Sequence, residues 1–221
     1  MLEKKSISSK ASQIEKFADA MTHGVGLALS IMAFILLIVK AAFSKDTWIF
    51  LSFSLYGVTL ISAYLSSTIY HLYMFYHKNP NKNFRRFLLL YDHCSIFFLI
   101  AGSYTPILLI FLRESLGFIF FAVIWILALM GVLYKIYFLG KFRKFSVVMY
   151  VSMGWCIVLS SKQLLVSVPH DLLIVLIIGG LFYTSGIVFY QKKSVPFNHA
   201  IWHIFVLLGS IIHFFGILTL I

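Results

Sequence analysis

The chain has 221 residues, of which 61% are hydrophobic and only 11% charged, and its formal net charge is +11. A soluble domain averages about 45–50% apolar and about 25% charged, so this composition excludes soluble globular packing. The positive balance invites a nucleic-acid partner, but the cations fall in short loops where anionic headgroups account for them, and none is expected.

The polar start contains Ser12-Gln-Ile-Glu15, a capping-box pattern that predicts a short amphipathic helix over 12–22. Glu15, Asp19 and His23 are four apart and share one helical face, which reads equally as a solvated acidic face or a functional one. Seven apolar runs follow, at about 24–43, 47–70, 87–112, 116–137, 146–165, 172–190 and 200–221. Crossing a bilayer takes about 20 residues, and a backbone in lipid must satisfy its own hydrogen bonds, so each run predicts a membrane helix. Pro106 is expected to kink the third. Cys94 and Cys156 fall inside runs and read as small buried hydrophobes. The first 16 residues are too polar for a cleavable signal.

Lys4, Lys5, Lys10 and Lys16, the second-to-third connection with Lys78, Lys82, Arg85 and Arg86, the fourth-to-fifth with Lys135, Lys141, Arg143 and Lys144, and finally Lys192 and Lys193 alternate onto one side. Only Lys40, Lys45, Arg113 and Lys162 fall on the other. The positive-inside rule then puts the N-terminus in the cytoplasm and the C-terminus outside. The expected architecture is an all-α integral membrane protein of the cytoplasmic membrane: a cytoplasmic segment, 1–23, and a seven-transmembrane-helix bundle, 24–221. Membrane lipids are its expected partners; the oligomeric state stays open.

Ionisable residues inside membrane helices are costly and mark function. At the helical rise, His71 lies about 10 Å from Lys78, Asp92 about 9 Å from Arg86, and His199 and His203 about 9 and 15 Å from Lys193. Four groups on three helices thus reach one layer of the inner leaflet. His199 and His203, spaced i, i+4, project from one face as a two-ligand half-site, and His71 supplies a third nitrogen. Three protein ligands with an open position fit a catalytic zinc site. Asp92, the acid within a span, either holds and deprotonates a zinc-bound water or orients a ligand. Ser67, four before His71, is placed to donate a hydrogen bond to the water or to an oxyanion. His213 and His93 read as interhelical polar contacts, and His77 and His170 as loop residues.

Four segments carry a family resemblance: Thr22-His-Gly24; Tyr64-Leu-Ser-Ser-Thr-Ile-Tyr-His71; Asp92-His93 with Ala101-Gly-Ser-Tyr-Thr-Pro106; and His199-Ala-Ile-Trp-His203 with Leu208-Gly-Ser and His213-Phe-Phe215. Over essentially its whole length the chain resembles the hemolysin III branch of the progestin and adipoQ receptor family, relatives of the adiponectin receptors. The resemblance implies zinc held by His71, His199 and His203, Asp92 at the zinc-bound water, and Ser67 nearby. Alkaline ceramidases belong to the wider superfamily, which suggests a membrane-embedded hydrolase of a lipid amide. The family pattern before the first span carries Asn where Asp19 stands and often a second Glu where Lys16 stands. Two other readings compete: a sensor or regulator of membrane lipid or fluidity with non-catalytic zinc, and a lytic, pore-forming protein. The lytic reading sits poorly with the absence of a continuous polar stripe.

Overall fold

The computed structural model describes residues 2–220, with the side chains of 2–12 and 159–161 outside the description. The described residues form helices and short connections: α1 (Leu2–Ser44), α2 (Thr47–Tyr76), α3 (Lys82–Ile110), α4 (Gly117–Phe138), α5 (Arg143–Trp155), a 3-10 turn (Cys156–Ser160), α6 (Ser161–Ser167), α7 (His170–Gln191) and α8 (Asn198–Leu218). Six helices, α1 from Gln13 onward together with α2, α3, α4, α7 and α8, are long and apolar enough to cross a membrane. With exposed aliphatics such as Ile35, Leu36, Leu129 and Met130 around the exterior, this is an integral membrane protein.

Local chemistry sets the helix ends. The Asp46 carboxylate accepts from Trp48 and Ile49 N–H at 2.7 and 3.3 Å, starting α2 two residues after α1 stops. The Asn81 side chain accepts from Asn83 and Phe84 N–H at 3.0 and 3.1 Å and starts α3. α1 packs on α2, α2 on α3, α3 on α4, α7 on α8, and α8 returns against α1. One core, with Leu37, Phe53, Tyr56, Tyr64 and Ile217, joins α1, α2 and α8. A second, with Phe97, Tyr104, Leu108, Ile124, Met153 and Leu172, joins α3, α4, α5 and α7. Gly102 permits the close approach of α3 to α2, since a Cβ there would run into the Thr59 side chain.

The fifth apolar run differs from its expected continuous helix. α5 has 13 residues, about 20 Å at the helical rise, and then gives way to the 3-10 turn and α6. The cause is a side chain from α3. The Tyr104 hydroxyl shares its proton between the Met153 and Gly154 carbonyls, at 3.1 and 2.5 Å, and accepts from Ile157 N–H at 3.4 Å. A hydroxyl that serves freed backbone groups lets the helix change pitch within the bundle.

Two further features depart from the sequence reading. The helix expected over 12–22 is one continuous helix with the first span. The capping role assigned to the Ser12 side chain, and the side chains of Lys4, Lys5 and Lys10, lie outside the described residues. α3 runs through Pro106, where the sequence places a kink, to Ile110, and Thr105 donates to Ala101 O at 2.9 Å. Lys135, expected in a loop, is 5% exposed on α4 and donates to Ser146 Oγ at 2.8 Å.

Candidate metal centre

Three helices meet where the histidines converge. His71 sits on the inner face of α2, one turn beyond buried Ser67. His199 and His203 occupy successive turns at the start of α8, so one face carries both imidazoles. One ligand atom from each of His71, His199 and His203 lies within 4.8 Å of the other two. The ring centroids of His199 and His203 are 4.4 Å apart, and each is 5.0 Å from His71. Tetrahedral zinc at about 2.0–2.1 Å from each nitrogen needs donors roughly 3.4 Å apart, inside the 4.8 Å within which these ligand atoms lie.

The nitrogens themselves test whether a metal fits. His203 Nε2 and His71 Nε2 are buried and have no hydrogen-bond partner. Such groups are rare unless something else satisfies them. Their other nitrogens are engaged by α1. Thr22 Oγ1 lies 3.0 Å from His203 Nδ1 and donates its own proton to the Ala18 or Asp19 carbonyl, at 2.9 and 3.0 Å. The hydroxyl therefore accepts from Nδ1–H, which leaves the Nε2 lone pair directed at the cluster. Asp19 Oδ2 lies 3.8 Å from His71 Nδ1 and biases His71 the same way. Outer partners of this kind orient metal-binding imidazoles. His199 is the partly exposed member, with Tyr190 and Trp202 beside it, so the cluster opens on its side. Neutral imidazoles converging with free lone pairs are a donor set for a metal ion.

The predicted triad is thus brought together. Asp92 is not one of its members; its Oδ2 lies 3.7 Å from His93 Nδ1, and its carboxyl engages Ser67 across the α2–α3 interface. His93 departs from the expected interhelical role: its Nδ1 lies 2.8 Å from Leu89 O on its own helix, while its carbonyl accepts from Tyr150 of α5. His213 makes the expected interhelical contact, with Nε2 3.0 Å from Leu176 O on α7. His77 and His170 sit at helix ends.

Sequence reasoning missed the service of α1 to this site. Asp19 was visible through its spacing from His23, but Thr22 drew notice only as part of a motif. The His23 ring lies tilted against that of His203, with centroids 3.6 Å apart. Glu15 also reaches across, accepting from Phe197 N–H at 3.2 Å just before α8 begins.

Residues 13–214 match the family described as Haemolysin-III related. The chain belongs to this family. Haemolysin-III relatives include the Hemolysin-3 homolog of Bacillus subtilis, 41% identical over 92% of this chain and 93% of its own length. Hemolysin-3 of Bacillus cereus is 42% identical over 92% and 90%. Weaker similarity, 29% over 94% and 85%, extends to the human Monocyte to macrophage differentiation factor. With six membrane-capable helices, this Haemolysin-III chain is a multi-pass membrane protein.

Proposed function

We propose that this protein is a seven-span, N-in membrane hydrolase that holds zinc and cleaves a lipid amide. The observation that carries the reading is the convergence of three imidazoles, two with buried lone pairs lacking a partner, inside an apolar bundle. Three nitrogens with room for a fourth ligand match catalytic rather than closed structural zinc. Bound there, zinc supplies Lewis-acid polarisation of an acyl carbonyl and a water acidic near neutrality.

The chain's own residues supply the rest. His71, His199 and His203 hold the ion, Asp19 orients the His71 ring and Thr22 the His203 ring. Asp92 takes a proton from the attacking water and returns it to the leaving amine. Ser67 holds the Asp92 carboxyl in place. The topology rests on the charge alternation, with the broken α5–α6 segment as the fifth crossing; discontinuous spans are tolerated where other helices satisfy them.

A second reading, a lipid or fluidity sensor in which the metal only braces α2 and α8, is favoured by the position of Asp92 outside the ligand group. A lytic role rests on the names of the bacterial relatives alone.

The test starts with metal content of detergent-purified protein by mass spectrometry. About one zinc per chain is expected, lost in folded His71→Ala, His199→Ala and His203→Ala variants. Zinc-loaded protein is then offered ceramides and other lipid amides and esters. Turnover abolished by Asp92→Asn with zinc retained supports hydrolysis. A loaded, folded protein inert across the panel transfers the site to the bracing reading, and protein without metal removes both.

A further inference from the structure

A second polar feature lies apart from the histidines. Between the first two turns of α3 and the end of α4 is a cleft of about 370 Å³. Lys82, Arg85 and Arg86 line it from α3, and Lys141 from the turn after α4. Gly140, at φ +80°, lets that turn fold back over the cleft. Among the described residues the ion pairs are His71–Asp19 and His93–Asp92, so no carboxylate neutralises these four cations. Four like charges around one concavity raise the local potential and attract an anion.

The surroundings say which anion. Tyr137, at the cleft's edge, is 74% exposed and begins a stripe on α4 that continues through Leu133, 54% exposed, and Met130, 57% exposed. These positions are four and three residues apart and face the same way. Phe87, next to Arg86, is 60% exposed. A basic cavity running into a lipid-facing apolar stripe fits a molecule with a phosphate at one end and acyl chains at the other. A soluble phosphate would use the cations and leave the stripe unused. Basic pockets between membrane helices hold lipid headgroups in this manner.

We infer that the cleft lined by Lys82, Arg85, Arg86 and Lys141 is a binding site for the phosphate headgroup of an anionic phospholipid. It goes beyond the positive-inside bias, because Lys78 and Lys144, from the same two connections, do not line the cleft. It is also independent of the metal site, whose histidines do not reach it.

Native mass spectrometry of the full-length protein released from vesicles of phosphatidylglycerol and phosphatidylcholine reads this out. Wild type is expected to retain one phosphatidylglycerol in preference to phosphatidylcholine. The variant Lys82→Gln/Arg86→Gln/Lys141→Gln loses that preference by at least about tenfold, while Lys78→Gln/Lys144→Gln keeps it. Elution volume and the midpoint of a detergent thermal melt, unchanged in both variants, certify the fold. Equal loss in the two variants overturns the site in favour of diffuse loop electrostatics. Displacement of the lipid by millimolar inorganic phosphate, or retention of RNA through the same residues, overturns the lipid as the ligand.

Discussion

Thr22→Val removes one hydroxyl and almost no volume, and it isolates the contribution of α1 to the metal centre. In the native protein Thr22 Oγ1 accepts from His203 Nδ1 at 3.0 Å, and His203 is fully buried. Valine has the same branched shape and packs in the same helical rotamer, so no cavity forms. What remains is a buried Nδ1–H without an acceptor, a loss of about 1–3 kcal/mol. Some of it is recovered if His203 flips to the other tautomer, but that tautomer presents Nε2–H to the metal and cannot ligate. Either way the deficit falls on the bound state. At about 1.4 kcal/mol per factor of ten, zinc affinity drops by about 10–100-fold, the range found when outer partners of metal ligands are removed. Thr22→Ser keeps the hydroxyl and stays near wild type. Competition against a chelator of known zinc affinity measures the difference. Wild-type affinity in a folded Thr22→Val protein, with His203→Ala devoid of metal, would refute the claim that α1 sets the His203 tautomer.

Asp92→Asn is expected to leave zinc content intact and to lower amide hydrolysis by about 100-fold or more, the usual contribution of a positioned base; product release from a ceramide substrate measures it. Tyr104→Phe strips the α5 break of its hydroxyl and is expected to destabilise the bundle by about 1–3 kcal/mol, seen as a lower midpoint in a detergent thermal melt. Gly102→Ala forces a methyl group into Thr59 and costs a similar amount, about 1–3 kcal/mol. Gly102→Ala/Thr59→Ala, which removes the Oγ1 that the new methyl group meets, is expected to recover part of that loss in the same melt.

The histidine cluster is legible in the sequence because its signals are local. His199 and His203 announce themselves by spacing, and depth along α2 brings His71 to the same layer. The contribution of α1 was only half visible. Asp19 shares a face with His23, yet nothing in a helical period says that this face meets α8 rather than water. Thr22 is an ordinary helix residue until His203, from the far end of the chain, is placed beside it. The break in the fifth run was hidden for the same reason: residues 146–165 are as apolar as their neighbours, and the agent of the break is a tyrosine on another helix. The charge count places Lys135 in a connection although the fourth apolar run contains it, and only the fold brings Ser146 Oγ to 2.8 Å from its ammonium.

The split origin of the metal centre fixes when it can come into being. Ribosomes deliver α1 and α2 early and α8 last, and domains assemble in that order during synthesis. Asp19, Thr22 and His71 therefore wait in the bilayer as an incomplete cradle until α8 threads in with His199 and His203. On the proposed function, metal capture follows the insertion of α8, and it rewards only chains that have reached that helix. A chain stalled or clipped before α8 would carry no ion, so metal occupancy would report insertion as far as α8.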